Sequence, residues 1–218
     1  MTTTAELQPF LRPNAFVDSE HPAIVAFAEE AGGQGTPQQV AVALYYRVRD
    51  MLRYNPWNVS LEPSGYLASE VLQRDPPEGH CIDKALLLAA AARARGIPSR
   101  LHFADVRNHV GTASLEERLG TDLLVFHGYT ELWLGGRWVA ATPAFNRGLC
   151  ERLGVAPLEF DGEHDSIFQA YDRQAGRFME YVRDHGSHEG IPFEAMVAAW
   201  HEHYAPTRTG TWPAPPPR

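Results

Sequence analysis

Residues 78 to 98 decide the fold: Glu78-Gly79-His80-Cys81-Ile82-Asp83-Lys84-Ala85-Leu86-Leu87-Leu88-Ala89-Ala90-Ala91-Ala92-Arg93-Ala94-Arg95-Gly96-Ile97-Pro98. From Cys81 to Arg95 almost every residue is a strong helix former, and Leu and Ala occupy all sides of the wheel. A helix that is apolar all round is a buried one. Asp75-Pro76-Pro77 keeps it from extending backwards, Gly96 supplies a left-handed stop, and Pro98 forbids continuation. Cys81 therefore falls in the first turn of a central helix. There the unpaired backbone N–H groups and the positive end of the helix dipole favour an anion, a thiolate included. The alternative is a cysteine packed as a small hydrophobe.

Upstream, residues 1 to 17 read as an arm, and Ser19 is placed to cap a helix from Pro22 to Gly32-Gly33. Thr36-Pro37 opens a second helix to about Arg53, with a capping residue followed by Pro at the first position. Tyr54-Asn55-Pro56-Trp57 breaks it, and a short helix follows from Leu67 to Arg74. After Pro98 the period changes to two, with Leu101, Phe103 and Asp105 on one strand face. Ser114-Leu115-Glu116-Glu117 is a capping box for a short helix stopped by Gly120. Residues 123 to 134 and 137 to 142 read as two strands around Gly135-Gly136, a two-residue hairpin signal. Asn146 begins a short helix to Leu153, and 192 to 204 suits a terminal helix.

The 218 residues, 44% apolar and 11% aromatic, can build one good-sized domain with a real core. No stretch approaches the roughly 20 apolar residues of a membrane span, and no basic-then-apolar leader opens the chain. Two cysteines argue against a disulfide framework and for a reducing cytoplasm. A formal charge of −8 argues against nucleic acid as a partner.

If Gly135-Gly136 is a tight turn, Leu134 pairs with Arg137, Trp133 with Trp138, Glu131 with Ala140 and Tyr129 with Thr142. His127 then shares a strand face with Tyr129, Trp133 and Trp138, and lies diagonal to Thr142. That aromatic-rich face is expected to pack on the buried helix. A histidine there, beside a helix-start cysteine, is what thiol catalysis needs: the imidazole takes the thiol proton and pairs with the thiolate. A hydrogen-bonded core histidine is the alternative.

Three separated motifs now stand in order. They are Gly79-His80-Cys81-Ile82-Asp83-Lys84-Ala85, Arg93-Ala94-Arg95-Gly96-Ile97-Pro98-Ser99-Arg100, and His127-Gly128-Tyr129-Thr130-Glu131 through Trp138 to Thr142-Pro143. Together they resemble the transglutaminase-like superfamily of papain-type cysteine enzymes, as found in bacterial proteins, over about residues 38 to 145. The resemblance implies an α+β fold with a nucleophilic cysteine at the start of a central helix, packed on an antiparallel sheet. It makes Cys81 the nucleophile and His127 the base and later acid. The family's aspartate falls on Thr142, a departure, and Lys84 stands where an aromatic is common. Replacing the carboxylate of a serine triad costs about 10⁴ in rate, but a thiolate already balances the imidazolium. Thr142, Asn146 and Asp105 are all candidates to orient His127, with Thr142 first.

Lys84, one turn after Cys81, is a candidate for an anionic substrate group or for an ion pair with a nearby carboxylate. Tyr129, Trp57 and Asn146 complete the candidate substrate-binding set. His102 and His109 around Asp105, His185 with His188, and His201 with His203 have ligand-like spacing, but none forms a zinc motif, and no metal is expected. Residues 160 to 186, rich in aromatics and acids such as Phe168, Tyr171, Asp172, Phe178 and Tyr181, are expected to cover the cleft. The whole reads as one domain over 1–204, with a motif core at about 38–145, an extension over 146–204 and a disordered Pro-rich tail at 205–218. The expectation is cofactor-free acyl transfer through a Cys81 thioester to water or an amine, from a peptide or small molecule carrying an amide or acyl group. A binding module that has lost the triad carboxylate is the other class. Oligomeric state is not legible.

Overall fold

The computed structural model describes residues 3–108, 113–168 and 179–216. The arm carries α1 (Thr4–Leu7) and a 3-10 turn over Gln8–Phe10. Helix α2 (Pro22–Gly32) is capped by His21, whose ring accepts the Ala23 N–H, and not by Ser19. Helix α3 (Pro37–Met51) starts in a full capping box of Thr36 and Gln39. Strand β1 (Arg53–Tyr54), a 3-10 turn (Pro63–Tyr66), α4 (Ala68–Leu72) and β2 (Glu78–Gly79) lead to the quoted stretch.

That stretch is helix α5 (Cys81–Ala94), with Gly96 at φ 71° as its left-handed stop. Every residue from Ile82 to Arg93 is buried. Helices α2, α3 and α4 lie against one side of α5 and the sheet against another. The chain continues as β3 (Ser99–Asn108), α6 (Ala113–Leu119), β4 (Leu123–Leu134) and β5 (Arg137–Ala141). After α7 (Arg147–Leu153), β6 (Met179–His188) and α8 (Phe193–His203), a 3-10 turn spans Ala205–Thr209. The four long strands form one antiparallel sheet in the order β5-β4-β3-β6. The fold is α+β.

The hairpin register runs as the two-glycine turn dictates, from Leu134 opposite Arg137 to Thr130 opposite Ala141. Strand β5 ends there, because the Thr142 N–H turns to the Ser166 carbonyl at 3.0 Å. The expected inner face is corrected. The face on α5 carries Gly128 and Thr130, whose hydroxyl donates to the Ala85 carbonyl at 2.8 Å. A Cβ at position 128 would lie 3.2 Å from Ile82 Cγ1, so glycine is what lets β4 approach the helix start. The half-buried Trp138 instead takes the Phe10 ring, at 5.1 Å between centroids, and the Arg100 guanidinium, 4.2 Å from its ring centre.

Two other expectations change. Residues 179–188 do not cover the cleft; they form the sheet's edge strand, paired with β3. Phe160 and Phe168 are buried in the core, while Tyr171, Asp172 and Phe178 lie outside the described residues. Nor is the Pro-rich end loose over its described part. Trp212 stacks on Trp200 and Tyr204 with centroids 5.2 and 5.7 Å apart, and its indole N–H donates to the Pro56 carbonyl at 2.9 Å. An aromatic anchor with a satisfied N–H offsets the ordering entropy that proline and glycine alone would not.

Candidate active site

Cys81 opens α5. His80 caps the helix: its Nδ1 accepts the Ile82 N–H at 3.2 Å, and the Asp83 carboxylate accepts the His80 N–H at 3.0 Å. Asp83 is fully buried, and Arg74 grips it with two bonds of 2.7 and 3.1 Å. This buried ion pair holds the first turn rigid, so the direction of the Cys81 side chain is set by its neighbours. Backbone N–H groups of Gly128, Ile82 and Cys81 itself point at the thiol.

Gly128 directly follows His127, so the strand that carries the histidine abuts the cysteine. Cys81 and His127 line one cavity. The chain just before His127 is irregular. Phe126 has φ 59°, unusual for a bulky side chain, at a bulge where the register with β3 shifts. Such a conformation costs about 1–3 kcal/mol and persists only when its surroundings enforce it. Here three side chains do so. The Asp105 carboxylate accepts the Phe126 N–H at 3.0 Å, the Tyr204 hydroxyl accepts the Val125 N–H, and the Trp200 indole donates to the Val125 carbonyl at 3.0 Å.

Burial dominates the site's protonation. It pushes the Cys81 thiol up to about 11, against the pull of the surrounding N–H groups. Burial and the nearby His80 ring hold His127 down, to about 4. Against the expected resting thiolate–imidazolium pair, burial shifts both groups toward their neutral forms.

The three candidates to orient His127 are all engaged elsewhere or unengaged. Neither His127 Nε2 nor Thr142 Oγ1 has a hydrogen-bond partner among the described residues, so no hydrogen bond joins them. Thr142 is held through its backbone, its carbonyl accepting the Tyr45 hydroxyl at 3.1 Å. Asn146 Oδ1 accepts the Tyr54 N–H at 3.0 Å. Asp105 also pairs with His185 at 2.6 Å.

Of the candidate substrate residues, Lys84 is moved furthest. It is fully buried, and its Nζ donates to the Arg49 and Leu52 carbonyls at 2.8 Å each. There it caps the end of α3 and cannot reach a substrate at the thiol. Burial lowers its pKa to about 7. Tyr129 lines a separate groove with His102 and Tyr181, its ring stacked on His102 at 4.7 Å. Around Trp57, the cavity is lined by its neighbours Tyr54, Pro56 and Val59 rather than by Trp57. His109 lies outside the described residues, and His102 bonds Ser187 and Asp184. Missing from the sequence reading were Trp200, Tyr204 and Trp212, which line the cavity from the far end of the chain.

The α+β fold thus sets a cysteine at the start of a buried helix and a histidine on the adjoining antiparallel strand. The transglutaminase-like superfamily matches residues 25–143, more than half of the chain, and the chain belongs to that superfamily. Among solved structures, one described as a "Putative Cysteine Protease" from Cytophaga hutchinsonii matches at a TM-score of 0.54 and 17% identity, over 89% of this chain and 50% of that one. A "Putative Protease" from Parabacteroides distasonis gives a TM-score of 0.38 and 18% identity, over 59% of this chain and 26% of that one. The chain thus spans half the length of the first of these structures and about a quarter of the second. Comparison with curated proteins returns no match. No helix among the described residues is long and apolar enough to cross a membrane.

Proposed function

We propose that this chain carries out cysteine-dependent acyl transfer, with hydrolysis of an amide in a peptide or small molecule as its reaction. Cys81 is the nucleophile and His127 the base and later acid; no metal or organic cofactor takes part. The observation that carries this reading is the contact of β4 with the helix start: the Gly128 N–H points at the thiol, and Cys81 and His127 share one cavity. With both groups shifted toward their neutral forms, the imidazole removes the thiol proton as sulfur attacks the carbonyl carbon. The tetrahedral oxyanion collapses, the amine leaves with the proton held by His127, and a thioester remains. Water, or an amine in the transfer variant, then attacks the thioester with His127 again as base. N–H groups at the helix start are suited to bind the oxyanion.

A second reading, a binding module, is favoured by the bare His127 Nε2 and the threonine at the family's aspartate position. The two separate in one experiment. With p-nitrophenyl acetate, the enzyme reading expects a burst of nitrophenol and an acetyl group on Cys81, by intact mass and peptide mapping. Both should vanish in Cys81→Ser. No adduct, or one only on the chain's other cysteine, the buried Cys150, leaves the binding module.

A further inference from the structure

We propose that the cavity beside Cys81 is a specificity pocket for one small aliphatic group on the acyl side of the substrate, and that Trp212 sets its depth. This rests on Cys81 being the acylated residue. The cavity measures about 60 Å³, and no carboxylate, guanidinium or ammonium lines it. A charged group entering it would lose its water without gaining a partner.

Three of the polar groups on its walls are already committed. The Tyr204 hydroxyl takes the Val125 N–H, the Trp200 indole gives to the Val125 carbonyl, and the Trp212 indole gives to Pro56. Val59, Leu119 and Leu124 add apolar faces. The two ring nitrogens without a partner, His80 Nε2 and His127 Nε2, belong to residues that flank or face the thiol and are buried. The Tyr54 hydroxyl also lies within electrostatic reach of Cys81, so the cavity is polar chiefly toward its reacting end. A substrate carbonyl fits there, with an alkyl group pointing at the tryptophans.

Size decides which alkyl group. An apolar protein cavity of about 150 Å³ holds benzene, so this one has room for roughly two to four carbons. An isopropyl group fits and a benzyl group does not. Trp212 is one wall of this volume; it comes from outside the α-helices and sheet and is pinned to Pro56, another lining residue.

The test compares acylation of Cys81 by p-nitrophenyl acetate, isobutyrate and phenylacetate, each rate divided by that of the same ester with free cysteine. The wild-type chain should favour isobutyryl over phenylacetyl by at least about tenfold, the scale on which apolar pockets discriminate. Trp212→Ala should bring the two within about twofold by speeding phenylacetyl. Leu119→Ala, shortening another apolar wall residue, is the second variant if Trp212→Ala fails to fold. Equal wild-type rates for the two esters, or an unchanged ratio in a folded variant, overturns the pocket while leaving Cys81 as nucleophile. If none of the three esters acylates Cys81, the catalytic reading falls and takes the pocket with it.

Discussion

His127 and His102 stand on one face of one sheet, on neighbouring rungs where Ala104 pairs with His127 and His102 pairs with Tyr129. Their surroundings are opposite. His102 lies flat on the Tyr129 ring, bonds Asp184 at 2.8 Å and Ser187 at 2.9 Å, and has the Glu131 carboxylate 3.5 Å away. These acids outweigh its burial and raise its pKa. His127 has the Phe168 ring 6.0 Å from its own and no carboxylate bonded to it among the described residues, so burial and the nearby His80 ring hold its pKa down. One histidine, flanked by acids, ties strands together; the other, with its pKa lowered, lines the cavity that Cys81 shares. The difference lies in whether an acid was built next to the ring, and at His127 that acid is what Thr142 does not supply.

The contrast is broken most directly by removing each ring in turn. His127→Ala should lower acylation of Cys81 by about 10²–10⁴-fold, the usual worth of a positioned base. His102→Ala should leave that rate within about threefold. Stopped-flow release of nitrophenol reads both, and comparable losses would mean that the two histidines serve one purpose.

A smaller effect is expected at the bulge that aims His127. Asp105→Asn replaces the carboxylate that accepts from Phe126 and pairs with His185, and should cost about 1–3 kcal/mol. For a chain of this length that lowers the melting temperature by a few degrees. Acylation by p-nitrophenyl acetate should fall with it, if Asp105 holds the strand that carries His127; a lower melting point with unchanged acylation would separate the two.

The smallest effect is in pH. The His102 pKa is raised above its ordinary 6.5, so its contribution to stability is fully present below pH 6.5 and is lost as pH rises through the higher folded value. Chemical denaturation of wild type between pH 5.5 and 8.5 should show this decline, and His102→Gln should flatten it. An identical slope in the variant would place the decline on another group.

What the sequence disclosed follows periodicity and punctuation. The buried α5 helix, the Thr36-Pro37 start of α3 and the β4–β5 register were all legible, because each rests on local patterns of apolar spacing, capping residues, glycine and proline. The side facing α5 was misjudged because Trp133 and Trp138 look like core residues, whereas Gly128 and Thr130 do their packing by being small. Strand β6 was invisible: Met179-Glu180-Tyr181-Val182-Arg183-Asp184-His185-Gly186-Ser187-His188 is a largely polar edge strand with two shifts in register, and so lacks a clean alternation. Cys81 and His127 were found by position, but Trp200, Tyr204 and Trp212 join the site only through the return of a distant chain segment. Lys84 illustrates the reverse error, since its place one turn from the cysteine said nothing of its direction.

Lys84 is the chain's only lysine, and it is sealed inside with both of its carbonyl acceptors. The folded surface of these residues therefore offers no lysine side chain for a thioester to find, on the same copy or on another. If acyl groups pass to amines here, the protein does not cross-link itself through lysine while it remains folded. The same arrangement makes an amine-reactive label a clock for opening, because Lys84 takes up the label only in molecules that have let water in.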